Sequence, residues 1–338
     1  MPGMGERSYA YAKACGIIGK SFVGKRSEPL KAVSRLSDLD RLVFPGSSKE
    51  IPEKKLLLDL EERIINREIN AVISVVNSFK KTPDFFSLLI RGYEYTDVKN
   101  AVNAAPGSAK PVFTGIGRFG TVNFSAWPDF SAMFRGTEFE YLLDEKGELD
   151  RSKSGTEIQA GLDRGYYKAL WNAMLKLSLK DRRSCRHILG EEISLKNAAW
   201  ALRLRSYYKM KSDQIAPHLI DISSPVRGGK ISLAEDALSL LELPLDNRAS
   251  WDKWKRSRFL NPDTLNWKAD PRFFQNACAR YLYRLARQSF RAAPLSLDSV
   301  FCFIKIKQFE EDILTSISEG MGMGISSQDV YSLMGANP

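Results

Sequence analysis

A short helical signature occurs twice in this chain, with a weaker third copy near the end. Residues 94–100 read Glu94-Tyr-Thr-Asp97-Val-Lys-Asn100, followed by Ala101 and Val102. Residues 191–197 read Glu191-Glu192-Ile-Ser-Leu-Lys-Asn197, followed by Ala198 and Ala199. Placing Asn100 on Asn197 also places Glu94 on Glu191, Val98 on Leu195 and Lys99 on Lys196. The third copy runs through Lys307-Gln-Phe-Glu310-Glu-Asp-Ile313, with Ile313 where the others carry Asn. Recurrence on this scale marks an assembly of related helical units. It points to a shaped surface rather than to one catalytic pocket.

Helical periodicity surrounds each copy. Between Pro52 and about Lys81, apolar residues fall at Leu57, Leu60, Ile64, Ile65, Ile69, Val72, Val76 and Phe79. Three- and four-residue steps of this kind define one stripe of a long helix, opened by Pro52 and closed by Thr82-Pro83. Similar patterns run over 157–179 and 271–290. Period-two alternation is scarce, so the chain is predicted to be all-α. Gly-, Pro- and Ser-rich stretches at 105–121 and 222–230 read as linkers. They divide the chain into three helical repeat units, 1–121, 122–226 and 227–338. The second and third units share another landmark: Asp163-Arg-Gly-Tyr166-Tyr167 parallels Asp270-Pro-Arg-Phe273-Phe274. Downstream, Ser212-Asp-Gln-Ile215 parallels Ser327-Gln-Asp-Val330 as a helix start.

Composition narrows the function classes. Apolar residues make up 43 % of 338, enough for an ordinary buried core. The net charge of +10 suggests an acidic partner, an anionic membrane surface or nucleic acid. Cys15, Cys185, Cys278 and Cys302 form no CxxC pair, which signals neither zinc nor a disulfide framework. Reduced thiols in a cytoplasmic protein fit this usage. The two histidines, His187 and His218, have no metal-ligand spacing. The first residues lack the apolar core of a signal peptide. No apolar run approaches the roughly 18 residues of a membrane span.

The polar residues of the signatures admit two readings. Asp97 and Asn100 share a helix face, as do Glu191 and Ser194, with Asn197 a turn further on. At a helix seam such groups require hydrogen-bond partners and set the register. As catalytic acids they would have to converge in one pocket. Their recurrence in separate units favours the packing role. Gly115-Ile-Gly117-Arg-Phe-Gly120 matches G-x-G-x-x-G but has neither a strand before it nor a helix opening within it, and reads as an inter-unit loop. Basic and aromatic residues interleave at 202–211 and 251–259, without a recognisable nucleic-acid module. No cofactor motif is present.

The order of these motifs resembles a family of V-type (A-type) ATPase subunits, the prokaryotic C-type member and its eukaryotic d-type counterpart. The resemblance spans nearly the whole chain. It rests on Tyr9-Ala-Tyr11-Ala-Lys-Ala14, Tyr95–Asn100, Leu162–Tyr167, Glu191–Asn197 with Leu202-Arg203, and Phe301–Glu310. Cys15 stands where the family commonly has Arg, and Ile313 where it has Asn. The resemblance implies a funnel of three units about a pseudo-threefold axis. It also implies a rotor subunit in the central stalk, peripheral on the cytoplasmic face of the membrane, with no active site. Its expected partners are the central-shaft coiled-coil subunit and the membrane rotor ring, with no nucleic acid. Tyr11, Asp97, Asn100, Asp163, Tyr166, Tyr167, Glu191, Asn197, Asp270, Phe274 and Glu310 are its structural signature residues. Two other classes stand beside this reading: a helical-repeat scaffold for RNA or protein, and an enzyme whose site carries no known motif.

Overall fold

The computed structural model describes residues 2–46, 52–104, 110–226 and 229–334. The helices in chain order are α1 (Met4–Ile18), α2 (Glu28–Lys31), α3 (Leu36–Val43), α4 (Glu53–Val76), α5 (Asp84–Asn103), α6 (Phe130–Phe134) and α7 (Gly155–Leu175). They continue with α8 (Arg183–Tyr208), α9 (Ser212–Ile215), α10 (Glu235–Leu240), α11 (Pro271–Ala292), α12 (Leu297–Gly322) and α13 (Ser327–Met334). The fold is all-α, as the periodicity predicts. None of these helices is long and apolar enough to cross a membrane.

Local chemistry explains the helix ends. Pro52 precedes the first turn of α4, which stops at Val76, short of Thr82. The Ser154 hydroxyl accepts the Glu157 N–H, and the Glu157 carboxylate accepts the Ser154 N–H, closing a capping box on α7. Ser296 caps α12, and α9 and α13 open at the two predicted serines. The apolar stripe of α4 is buried from Leu60 through Ile64, Ile69, Val72 and Val76. Each such side chain contributes about 1.5–3 kcal/mol on leaving water.

Signature copies lie on α5, α8 and α12. The helix before each, α4, α7 or α11, packs on a signature helix distant in the sequence. α4 packs on α12, α7 on α5, and α11 on α8 as well as on α12. One large core takes α1, α3, α4, α12 and halves of α5, α7, α8 and α11. α5 enters it with Phe85–Ile90 and leaves with Tyr95–Ala101, which pack with Ile158 and Leu162 of α7 in a second core. α8 enters with Cys185–Ile193 and leaves with Leu195–Leu204, which meet Phe274 and Cys278 of α11 in a third. The pairs α5/α7 and α8/α11 thus run antiparallel and diverge from a common base.

One expectation changes. The break at 222–230, read as a linker, instead runs into two antiparallel strands, β1 (Ser223–Val226) and β2 (Gly229–Ser232), with Ser224 opposite Ile231. Residues 105–109 of the other break, and 227–228 of this one, lie outside the described residues.

Candidate functional site

The divergence of the helix pairs opens a cleft of about 650 Å³, lined from α4, α5, α7, α8 and α12. A second, of about 360 Å³, shares Lys99, Asp163, Tyr167, Glu192 and Lys196 with it and extends toward α11. Equivalent positions of the three signatures meet in the larger cleft. Tyr95, Glu192 and Gln308 occupy one register position, and Lys99, Lys196 and Asp312 the position one turn on. All six line its wall.

Ion pairs stitch these rings. Asp163 of α7 holds the two aligned lysines, Lys99 at 2.8 Å and Lys196 at 3.4 Å. Glu192 holds Lys305 at 2.7 Å and accepts the Tyr167 hydroxyl at 2.9 Å. Burial pushes Lys99 below its ordinary range, partly offset by Asp163. Burial pushes Glu311 up to about 8 despite the hydroxyl of Tyr93, with Asp312 adding repulsion. Seven carboxylates and three amines line the cleft, so its wall is acid-rich although the chain is basic overall.

The signatures also clamp loop backbone. The Thr114 N–H donates to Asp97 Oδ2 at 2.6 Å, and the N–H groups of Thr121 and Val122 donate to Glu94. Burial raises Asp97 to about 7, against the pull of Thr114. The G-x-G-x-x-G stretch lies in this loop. Gly117 has φ of 56°, and the amides just beyond the motif are taken by a carboxylate of the same chain. Glu310 accepts the Phe22 N–H at 2.7 Å and the Ser21 hydroxyl at 2.6 Å. Asn197 accepts the Ile220 N–H at 2.7 Å and donates to the carbonyls of Ile220 and Leu233. On each signature helix an acid or amide thus ties down a crossing segment.

The other signature residues serve unlike roles. Asn100 is exposed and faces the cleft, whereas its sequence counterpart Asn197 is buried. Asp270 caps α11, accepting the Arg272 N–H, while its counterpart Asp163 lies well inside α7 and pairs with lysines. Glu191 meets Arg256 through two bonds of 2.7 and 3.1 Å. Tyr11 stacks on Phe290 at 5.2 Å, and Phe274 is fully buried beside Trp254 and Phe259. Tyr166 packs between Tyr95 and Tyr167 and against Gly92. A buried charge knot was missed: Lys307 pairs with Glu68 and Glu310 on the α4–α12 seam. A charge at position 68, four residues from both Ile64 and Val72 in the apolar stripe, was the signal for it. Arg256 gave no comparable signal.

Paired long helices, a cleft at their divergence and loop-clamping signatures define an all-helical protein built around an open cleft. The chain belongs to the ATP synthase (C/AC39) subunit family, whose profile matches residues 48–333. It is also similar to an uncharacterized protein of Treponema pallidum (strain Nichols), 26% identical over 320 residues, covering 94% of this chain and 92% of that protein.

Proposed function

We propose that this chain is a non-catalytic rotor subunit of a V/A-type ATPase. It is a socket between the shaft of the soluble, ATP-hydrolysing head and the membrane ring that carries protons or sodium ions. One observation carries this reading: equivalent positions of three signature helices, Tyr95/Glu192/Gln308 and Lys99/Lys196/Asp312, line one cleft. That arrangement supports three related units about a common hollow, and the packing between helices distant in the sequence supports it further. The shared apolar base makes the socket stiff enough to pass on torque. In this reading the chain sits on the cytoplasmic face, held by the ring. Its signature residues shape the socket by packing rather than by chemistry.

The test is functional. Membrane vesicles from cells lacking this chain should hydrolyse ATP at a soluble head yet fail at ATP-driven ion uptake, and adding the chain back should restore uptake. Full ion uptake without the chain would refute the coupling role. ATP hydrolysis by the purified chain would refute the non-catalytic one.

A further inference from the structure

α11 carries a row of arginines that the socket does not use. Arg280, Arg284, Arg287 and Arg291 follow one another by four, three and four residues, which keeps them on one face of the helix. At about 1.5 Å per residue the row is roughly 16 Å long. The helix contains no Asp, Glu or Lys. Among the described residues none of the four has a carboxylate within ion-pair distance. Arg280 donates instead to the carbonyl of Leu333, and Asp329, the acid on neighbouring α13, is held by Ser326. Like charges three and four apart destabilise a helix, so the row is kept against a local cost. It is also extended: Gly24 lies against Arg287, and the turn Gly24–Arg26 presents an exposed Arg26.

We propose that this arginine row docks an acidic helix of a partner subunit, one with carboxylates at matching three- and four-residue steps. The adjoining face of α11 is locked in the core by Tyr283, Ala286 and Phe290, which fixes the spacing of the guanidinium groups. Arginine at every position favours planar, two-bond recognition of carboxylates, which lysine does not supply. An anionic bilayer fits less well. The exposed positions of α11 are Arg272, Gln275, Arg284, Gln288, Arg291 and Ala292, none a large apolar side chain that could insert. RNA fits less well too, because the same positions include no aromatic ring for stacking. The proposal rests on membership of a multisubunit family, and it stands apart from the socket, since none of the four arginines lines either cleft.

The test uses the full chain and a synthetic helical peptide with glutamates at four-, three- and four-residue steps. Controls are an isomer with the same residues scattered, phosphatidylserine/phosphatidylcholine vesicles, and poly(U). The ordered peptide should bind, and binding should weaken with salt. A triple variant, Arg284→Gln, Arg287→Gln and Arg291→Gln, should bind at least about tenfold more weakly. These are surface changes, and an unchanged urea midpoint would show the fold intact. Equal binding of the scattered isomer, preference for vesicles or poly(U), or unchanged affinity in the triple variant would each overturn the proposal. None of these outcomes bears on ion uptake, so the socket reading stands or falls separately.

Discussion

Replacing Asn197 with Ala removes three hydrogen bonds at once from a side chain that is 1% exposed. The Ile220 N–H and C=O lose their side-chain partner in the interior, and the Leu233 carbonyl loses a bond at its edge. A stranded buried polar group costs about 1–3 kcal/mol, and a partly exposed bond about 1. The sum is about 3–7 kcal/mol. Asn100→Ala is the matched control: same residue type, same repeat position, but an exposed side chain facing the cleft. It should cost no more than about 0.5 kcal/mol. Urea denaturation followed by circular dichroism measures both, and hydrogen exchange at the Ile220 amide reads the local effect. In Asn197→Ala that amide should exchange about 100-fold faster or more. A loss below about 1 kcal/mol, or an equal loss in Asn100→Ala, would refute the argument that clamping sets the value of this position.

Three further outcomes follow from the geometry. Arg256→Met leaves Glu191 and Asp236 without their shared cation, and should cost about 3–5 kcal/mol in thermal or chemical unfolding. A Cβ at Gly92 would lie 2.8 Å from the Tyr166 hydroxyl. Gly92→Ala should therefore cost about 1–3 kcal/mol, and adding Tyr166→Phe should recover part of it; strict additivity in a double-mutant cycle would contradict this. Asp97 titrates at about 7 in the fold, against about 4 in an unfolded chain. The folded state therefore binds this proton more tightly. That stabilisation is in place below about pH 4 and is lost as pH rises through about 7. Asp97→Asn keeps an acceptor for Thr114 without the titration. Its stability relative to the parent should climb between pH 4 and 7, by at most about 4 kcal/mol; parallel pH curves would count against it.

The helices were legible because the stripe from Leu60 to Val76 is a local pattern, and so were the starts at Ser212 and Ser327. What a residue does once the helices meet was less legible. Asn100 and Asn197 share a sequence context, yet one faces the cleft and the other a crossing strand of chain. Asp163 and Asp270 share a landmark, yet helix α7 starts eight residues before the first while the second caps its helix. Such differences are set by which distant segment lies opposite, and Ile220, Leu233 and Arg256 carry no periodic mark of that. The pairing of 223–226 with 229–232 was hidden because Pro225 and Gly229 read as turn residues. The net charge of +10 misled about the cleft, because it averages over a surface whose arginine-rich α11 and acid-rich cleft are far from uniform.

The most direct measurement places a photo-activated cross-linker at Asn100 or Gln308 on the cleft wall, and at Leu265, 94% exposed, as an outer control, in the assembled membrane complex. The socket account predicts that the two cleft positions capture the coiled-coil shaft subunit and that Leu265 does not. Capture of the shaft from Leu265 with none from Asn100 or Gln308 would contradict it.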